Sequence, residues 1–455
     1  MIIGTGSNCG KTTVTCALLS ALKKAGKTIT AFKCGPDYID PMFHSKVLET
    51  KSRNLDPFLC GNEVMKFLLA RDSKNADAAV IEGVMGMYDG LGFESDKYSA
   101  NYISGLTETP QILVVNVKGK SLSLAAEISG YINFSENRIA GVILNNCSKG
   151  MYDIYKQMLN KQLGLRCYGY LPFMPEAEIG SRHLGLITAD EIDSIRIYIK
   201  ELGETASKTL DINGLLDLAR SASPFEYNEI IVAPVTEKPV RVGIARDWAF
   251  CFYYEDVLEL LEETGCELVP FSPVNDKTLP ADLHGLILGG GYPELYAQKL
   301  SENVTMRDSI HLAVSKGMPT YAECGGFMYL GKSITVESST YSMCGALDTS
   351  SHMTKGLVRF GYKILTAKKD NLICRAGDSI PCHEFHYSNS DNNGSDFILK
   401  SPRRTTNTEA IFGTKNIFAG YPHLHLWCKP EIAASFIHEC AEYREKISDN
   451  CKEGM

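Results

Sequence analysis

The sequence has no excess of positive charge and no long apolar run. Its 46 Lys and Arg residues stand against 54 Asp and Glu residues, which gives a formal net charge of -8. Such a chain lacks the basic surface that would neutralise a nucleic-acid backbone or an anionic membrane, and no apolar run approaches the ~18 residues needed to span a bilayer. We therefore predict a soluble, cytoplasmic protein whose partners are small molecules rather than nucleic acid or membrane, and leave a homodimer open.

The chain also lacks any C-x-x-C pair, although it has 15 cysteines. Its Cys and His residues do not fall at metal-ligand spacings, and we expect no signal peptide, because Met1 leads straight into the glycine-rich motif. These absences argue against a structural zinc or iron–sulfur site and against a disulfide framework. We expect most thiols to be small buried side chains, so a reactive cysteine has to be recognised from its local motif.

A length of 455 residues predicts two or three domains at ~150 residues each. Short apolar strands alternate with amphipathic helices, a pattern typical of βαβ units and parallel sheets. We predict an α/β fold with domains at 1–220 and 239–445, joined by a polar, proline-containing linker at 221–238. The predicted helices and strands are Thr12–Ala25, Glu255–Thr264, Ile2–Ile3, Thr28–Phe32, Ala78–Ile81, Gln111–Val115, Ile139–Leu144, Val240–Ile244, Leu268–Phe271 and Gly285–Leu288.

The residues GTGSNCGKTT, from Gly4 to Thr13, predict a phosphate-binding loop between a strand and a helix. In such a loop the backbone N–H groups and the helix N-terminus surround phosphate oxygens, Lys11 reaches the outer phosphates and Thr12 offers its hydroxyl to Mg²⁺. The glycine that usually stands five residues before Gly10 is here Thr5, a variant that resembles the loop of dethiobiotin synthetase. The preceding strand is short, which suggests that a few residues are missing at the start.

Carboxylates that could serve the magnesium ion follow two of the predicted strands. Glu82 ends the strand AAVIEG, and the segment FKCGPDYIDPMFH carries Lys33, Asp37 and Asp40. Asp89 follows Glu82 in a glycine-rich loop, at the edge where open α/β sheets bind ligands. Each aspartate alone is more simply a turn former, but beside a phosphate loop these acids indicate a nucleotide site.

In the second half, AECGGFMYL places Cys324 between an apolar strand and a helix, with two glycines that permit a sharp turn. This pattern is typical of a nucleophile elbow, in which the helix N-terminus stabilises a thiolate. Upstream, Gly289-Gly290-Gly291 follows another strand and could supply backbone N–H groups to an oxyanion. A thiol nucleophile also needs a base, and spacing leaves the choice open among the candidate histidines His423, His425, His383 and His386.

As a whole, the chain resembles the cobyrinic acid a,c-diamide synthase family, the amidotransferases of corrinoid biosynthesis. The resemblance extends from Gly4 to Trp427 in the family's order, and it is carried by GTGSNCGKTT, FKCGPDYIDPMFH, IEGVMGMYDG, RHLGL, ARDWAFCFYYED, LGGGYPE, AECGGFMYL, HEFHYS and HLHLW. It implies a dethiobiotin synthetase-like ATP-binding domain with a parallel sheet, followed by a class I glutamine amidotransferase domain.

The resemblance also implies roles for residues in each domain. Cys324 would be the nucleophile and His423 the histidine that activates it. Class I glutaminases commonly have Glu two residues after this histidine, where this chain has His425, so the resemblance does not say what orients the imidazole. ATP would bind at Gly10, Lys11, Thr12, Thr13 and Lys33, with Thr12, Asp37 and Glu82 holding Mg²⁺, Asp40 and Asp89 bordering the tetrapyrrole, and Gly290 and Gly291 serving the glutaminase.

The implied reaction is amidation of the a and c acetate side chains of cobyrinate, driven by ATP and supplied with ammonia from glutamine. Two other tetrapyrroles, nickel-sirohydrochlorin and hydrogenobyrinate, remain alternatives because no residue separates them. A remote alternative from another class is a partition-type switch ATPase. That reading has no use for the elbow at Cys324.

Overall fold

The computed structural model describes residues 1–174, 189–403 and 407–453. The motif RHLGL at 182–186 lies outside the described residues. The chain forms two compact units, Met1–Glu229 and Ile230–Met455. The division falls within the segment 221–238, whose residues form neither helix nor strand.

The first unit alternates strands with helices along the chain. Its elements are β1 (Ile2–Gly4), α1 (Lys11–Lys24), β2 (Ile29–Cys34), α2 (Ile39–Lys46), β3 (Lys51–Leu55), α3 (Asn62–Ser73), β4 (Ala78–Glu82), α4 (Ala100–Leu106), β5 (Gln111–Asn116), α5 (Ser123–Phe134), β6 (Ile139–Asn145), α6 (Lys149–Leu163), β7 (Cys167–Leu171), α7 (Ala189–Thr209) and α8 (Ile212–Arg220).

These strands form one parallel sheet in the order β3-β2-β4-β1-β5-β6-β7. The central strands are buried along most of their length, as expected for a parallel sheet covered by helices on both faces. The carboxyl ends of parallel strands meet at one edge. The loop after β1 therefore lies beside Lys33 at the end of β2 and Glu82 at the end of β4, which are partners in the ladder register.

The second unit begins with another α/β pattern and continues with many short strands. Its elements are β8 (Val240–Ala245), α9 (Glu255–Thr264), β9 (Cys266–Phe271), β10 (Gly285–Leu288), α10 (Ala297–Glu302), α11 (Val304–Ser315), β11 (Thr320–Glu323), α12 (Gly325–Leu330), β12 (Ser333–Val336), β13 (Ser339–Ser342), β14 (Ser350–Met353), β15 (Arg359–Ala367), β16 (Ser379–His386), β17 (Ser388–Ser390), β18 (Phe397–Lys400), β19 (Asn407–Ala410), β20 (Phe412–Gly413), β21 (Ile417–Gly420), β22 (His423–Leu424) and α13 (Glu431–Glu453).

The described residues of this unit form three sheets. The main one has the order β20-β21-β11-β10-β8-β9, and its central strands are parallel. The others are β13-β12-β14-β17 and the antiparallel sheet β19-β18-β15-β16-β22. β22 follows β21 in the chain and pairs with β16, so it brings the terminal histidines next to the end of β11.

The α/β fold class predicted from the sequence is confirmed, and the predicted strands and helices lie within one or two residues of the observed ones. The sequence did not indicate the two smaller sheets. Several of their strands, such as Ser339–Ser342, are short and rich in serine and lack the apolar alternation that marks a half-buried strand. Among the described residues, no helix combines the length and apolar character needed to cross a membrane.

Candidate active site

The phosphate loop is held in shape by residues from distant elements. Gly10 has φ of 102°, a left-handed conformation that favours glycine, and a Cβ there would stand 1.9 Å from Asn145 Nδ2. Asn145, the last residue of β6, donates a hydrogen bond from Nδ2 to Cys9 O at 3.1 Å. Tyr131 on α5 donates from its hydroxyl to Thr5 O at 2.5 Å. The loop thus has a conformation fixed by the fold around it.

Lys11 begins α1, and its side chain lies within the loop region. Its Nζ donates to Gly6 O at 2.8 Å and to Met85 O at 2.6 Å. Burial lowers the pKa of Lys11. The ammonium group therefore bridges the phosphate loop and the loop that follows β4, which places a positive charge where backbone N–H groups gather.

Glu82 lies at the centre of a buried cluster of charged groups. Its Oε1 accepts hydrogen bonds from Thr12 Oγ1 at 2.6 Å and from Lys33 Nζ at 2.9 Å. Lys33 Nζ also lies 2.5 Å from Asp40 Oδ2. Burial raises the pKa of Glu82 to about 7, although Lys33 opposes this shift. Thr12, Lys33, Asp40 and Glu82 are thus brought together as predicted for a nucleotide site.

These residues also fit a magnesium ion. Within the described parts of the chain, no group of three or more His, Cys, Asp or Glu side chains could hold a metal. Mg²⁺ at nucleotide sites, however, usually takes one or two carboxylates, with the remaining ligands from phosphates and water. Glu82 Oε2 is buried without a hydrogen-bond partner among the described residues, and Thr12 Oγ1 is bonded to the same carboxylate. Thr12 and Glu82 therefore offer the donor set that Mg²⁺ prefers.

Asp37 and Asp89 stabilise backbone near this cluster. Asp37 Oδ1 accepts from Ile39 N at 2.8 Å and from Asp40 N at 3.2 Å, at the start of α2. Burial and the nearby Asp40 raise the pKa of Asp37. Asp89 Oδ2 accepts from Gly86 N at 2.8 Å. The predicted role of Asp37 as a magnesium ligand stays a prediction, as does that of Thr13, which is half-buried on the first turn of α1.

His44 completes the cluster, and the sequence did not single it out. Its Nε2 lies 3.5 Å from Glu82 Oε2, and its side chain is fully buried. Burial lowers the pKa of His44 to about 4, so the ring is neutral at physiological pH. In the sequence, His44 is a histidine seven residues after Asp37 in a short helix. That position does not by itself distinguish a site residue from a core residue.

In the second unit, Cys324 stands on a strained turn between β11 and α12. Its φ of 46° lies in the left-handed region, which is unfavourable for a side chain with a Cβ. Cys324 N donates to Gly420 O at 2.7 Å, and a Cβ on Gly326 would stand 2.0 Å from Leu288 O. The turn is therefore held by close backbone packing, as the predicted elbow requires. The described cysteines are free thiols, and all but Cys428 are buried.

His423 is the histidine that meets Cys324. Its ring shares a hydrogen bond with the Cys324 thiol, and its Nδ1 lies 3.1 Å from Glu323 Oε2. Burial by itself lowers the pKa of His423, but the hydrogen bonds to Cys324 and Glu323 outweigh burial and raise it to about 10. The imidazole thus has a strong tendency to carry a proton beside the thiol.

The other three histidines have different partners. His425 Nε2 lies 3.3 Å from Asp256 Oδ2. His386 stacks on Tyr421 with ring centroids 3.9 Å apart. His383 is buried opposite His423 in the β16–β22 pairing, and burial lowers its pKa to about 3.

The triple glycine segment lies against this pair. A Cβ on Gly290 would stand 2.6 Å from His423 Cε1, and a Cβ on Gly325 would stand 3.2 Å from Gly291 N. Gly291 has φ of 156°, and a side chain there would collide with Ala249 O. The backbone of Gly290 and Gly291 can approach the Cys324 turn only because these positions carry no side chains.

Comparisons with known proteins agree with this pair of sites. Residues 1–187 match the family model of a CobQ/CobB/MinD/ParA nucleotide binding domain, and residues 241–430 match that of a CobB/CobQ-like glutamine amidotransferase domain. Three curated relatives, each named cobyrinate a,c-diamide synthase, are similar over most of their length. The protein of Caldanaerobacter subterraneus subsp. tengcongensis is 39% identical, covering 98% of this chain and 99% of the relative. The proteins of Priestia megaterium and Clostridium tetani are 37% and 41% identical, covering 99% and 85% of this chain and 98% and 87% of the relatives.

The chain belongs to the cobyrinate a,c-diamide synthase family. The predicted family is confirmed, as are the predicted class of glutamine-hydrolysing ligase and the use of ATP. The partition-type alternative finds no support, because the amidotransferase domain fills residues 241–430.

Within this member of the cobyrinate a,c-diamide synthase family, the sequence reasoning missed Glu323 and Asn145. Glu323 ends a strand whose residues are all buried. A carboxylate in such a strand is unusual unless it has partners. A glutamate at the end of an apolar strand was therefore the feature of the sequence that could have indicated Glu323 as a site residue. Asn145 ends β6, three strands from Glu82 in the sheet order, and its contact with the phosphate loop depends on the tertiary fold.

Proposed function

We propose that this chain amidates the a and c acetate carboxylates of cobyrinate, with ATP as activator and glutamine as nitrogen source. The observation that carries the proposal is the Cys324–His423 hydrogen bond at a strained turn, in a chain that also holds a phosphate loop. A nucleotide-switch ATPase has no use for such a pair. The tetrapyrrole is proposed from the name shared by full-length relatives.

In the first unit, ATP phosphorylates a substrate carboxylate, because a free carboxylate is a poor electrophile. The backbone of Gly10 to Thr13 surrounds the phosphates, and Lys11 and Lys33 offset the charge that develops as the phosphoryl group moves. Thr12 and Glu82 would hold Mg²⁺, which would supply further charge neutralisation at the phosphates. Asp37 would be a further ligand of this ion, and its Oδ1 also accepts hydrogen bonds from the backbone at the start of α2. Asp40 and Asp89 would border the junction of nucleotide and tetrapyrrole and help to orient the acyl phosphate.

In the second unit, the Cys324 thiolate attacks the side-chain amide of glutamine. The carbonyl oxygen becomes an oxyanion, for which the backbone at Gly290 and Gly291 provides N–H donors. His423 gives its proton to the departing ammonia as the thioester forms. Water then hydrolyses the thioester to glutamate and regenerates Cys324.

Ammonia completes the reaction in the first unit. Its nitrogen attacks the acyl phosphate carbonyl, the carbon–oxygen bond to phosphate breaks, and the amide and inorganic phosphate are released. Two rounds, at the a and c side chains, give the diamide.

The test is Cys324→Ala, assayed with glutamine or with ammonium chloride as the nitrogen source. We expect glutamine-dependent amidation to be lost, since the nucleophile is absent, while ammonia-dependent amidation continues. Cobyrinate, hydrogenobyrinate and nickel-sirohydrochlorin are supplied in parallel, and the products are weighed by mass spectrometry. We expect cobyrinate to gain two amides with the highest kcat/KM.

Cys440→Ala is a matched control, because Cys440 is buried in the same unit and has no role in the proposed chemistry. Glutamine-dependent amidation by the Cys324→Ala protein would contradict the proposed nucleophile. A higher kcat/KM for either of the other tetrapyrroles would contradict the proposed substrate.

A further inference from the structure

We infer that Glu323 is the positioning residue that orients the His423 imidazole toward Cys324. This role rests on the proposed function of the Cys324–His423 pair. It also answers the question left by the sequence, since the position two residues after His423 is not a carboxylate but His425.

The contacts of Glu323 fix both the ring and the strand that carries it. Glu323 Oε2 lies 3.1 Å from His423 Nδ1, and its Oε1 accepts a hydrogen bond from Leu424 N at 2.9 Å. Tyr321 donates its hydroxyl to the same Oε1. Three donors compensate the carboxylate for its burial. One carboxylate therefore binds both the imidazole of His423 and the backbone N–H of the next residue.

The strained turn explains how adjacent residues reach the same ring. Successive side chains of a strand point to opposite faces, so Glu323 and Cys324 would diverge if β11 simply continued. At Cys324 the backbone enters the left-handed region, with φ of 46° and ψ of -101°. The chain reverses there, and both side chains contact His423. The elbow thus presents the nucleophile and also keeps its preceding carboxylate on the imidazole.

His425 has partners that place it elsewhere. Its Nε2 lies 3.3 Å from Asp256 Oδ2, and its ring packs on Tyr254 with centroids 4.7 Å apart. His423 and His425 are two positions apart, and each is paired with a different buried carboxylate. The position that commonly carries the orienting Glu in class I glutaminases therefore has a packing role in this chain.

The arrangement has a direct chemical consequence. With Nδ1–H donated to Glu323, Nε2 is the ring nitrogen left for the Cys324 thiol. A neutral amide at position 323 would not stabilise the positive charge of the imidazolium, so His423 would lose its proton at a lower pH and would less often hold an N–H beside the Cys324 thiolate. The groups that face His423 are Glu323 and Cys324 from β11 and its turn, and His383 from β16.

The experiment uses Glu323→Gln in the full-length enzyme, with Asp256→Asn as the matched control for loss of a buried His–carboxylate pair. Glutamine hydrolysis is measured from pH 6 to pH 10.5, and ammonia-dependent amidation and thermal unfolding are measured on the same preparations. We expect kcat for glutamine hydrolysis to fall roughly 10²–10⁴-fold in Glu323→Gln, with KM little changed. Its alkaline limb should move to lower pH. Glu323→Asp should recover part of kcat, and Asp256→Asn should keep the wild-type pH profile.

Three outcomes would overturn the inference. One is a wild-type kcat and pH profile in Glu323→Gln. Another is a Glu323→Gln variant that loses kcat while the alkaline limb of its pH profile stays in place and its unfolding temperature falls as much as that of Asp256→Asn. That result would show that Glu323 has only a structural role. The third is Glu323→Asp with no more activity than Glu323→Gln. Glutaminase activity in Cys324→Ala would contradict the proposed function itself, and it is therefore distinguishable from a failure of the inference about Glu323.

Discussion

Each unit buries a histidine against a glutamate, and the two pairs differ in where the protons reside. In the first unit, burial lowers the pKa of His44 to about 4 and raises that of Glu82 to about 7. In the second, the pKa of His423 rises to about 10 despite burial, because of its bonds to Cys324 and Glu323. The first histidine is held neutral and the second is held protonated.

The neighbouring charges explain the difference. Lys33 already gives Glu82 a positive partner at 2.9 Å, so a proton on His44 would add a second cation to a buried cluster. Among the described residues, the hydrogen-bond partners of Glu323 are His423, Leu424 and Tyr321, with no lysine or arginine. Cys324 offers His423 a second acidic group. Burial disfavours charge in both places. It remains the main influence on His44, whereas the hydrogen bonds of His423 to Cys324 and Glu323 outweigh it.

Among the substitutions that test this difference between the two units, Lys33→Met should have the largest effect. It leaves two buried carboxylates, Asp40 and Glu82, without their cation. We expect ATP-dependent amidation to fall about 10³-fold or more even with ammonia, and the protein to lose roughly 3–5 kcal/mol of stability at pH 8. Urea unfolding followed by fluorescence measures this loss.

The stability of Lys33→Met should recover as the pH is lowered. The carboxylates of the folded variant have pKa values above those of the unfolded chain, so the folded state binds more protons and gains stability as pH falls. Lys51→Met is the control, because Lys51 is partly exposed and its partner Asp72 keeps two arginines. An equal loss of unfolding free energy in Lys33→Met and Lys51→Met would contradict the prediction that Lys33 is needed to compensate the buried carboxylates.

A smaller effect is expected from His44→Gln. His44 limits the movement of the Glu82 carboxylate at 3.5 Å, and partners of this kind typically contribute about 10–100-fold to activity. We expect the rate of ammonia-dependent amidation to fall by about 10-fold, the lower end of this range, and the rate of glutamine hydrolysis to stay unchanged. A fall in both activities would show a general loss of fold instead.

The same variant tests the neutral state of His44. Its folded-state pKa of about 4 lies below the ~6.5 of an unfolded histidine. The unfolded chain therefore binds more protons between these values, and wild-type stability falls as pH drops through that window. His44→Gln should lack this part of the pH dependence.

The smallest effect on activity is expected from His425→Asn. His425 pairs with Asp256 and packs on Tyr254, away from the thiol. Its loss should cost about 1–3 kcal/mol through an imperfectly paired buried carboxylate, measured by urea unfolding, and leave glutamine hydrolysis close to wild type. A large fall in hydrolysis with unchanged stability would assign His425 a part in the chemistry.

The sequence by itself determined the features in which the interacting residues are close along the chain. The phosphate loop and the Cys324 elbow are both a strand, a glycine-rich turn and a helix, so their residue types and spacing are enough to predict the geometry. The parallel sheets also followed from continuous apolar strands alternating with helices. The resemblance to one family then selected His423 among the candidates.

Only the tertiary structure decided which side chains meet across distant elements. Glu323 and His423 are 100 residues apart, and their contact depends on β22 pairing with β16 beside the end of β11. Asp40, rather than Asp37, forms the ion pair with Lys33, because the Asp37 carboxylate accepts hydrogen bonds from the backbone at the start of α2. Such contacts depend on strand order and backbone turns that single residues do not encode. The protonation states depend on them in turn, because the pKa of a buried histidine is set by the charges that the fold places around it.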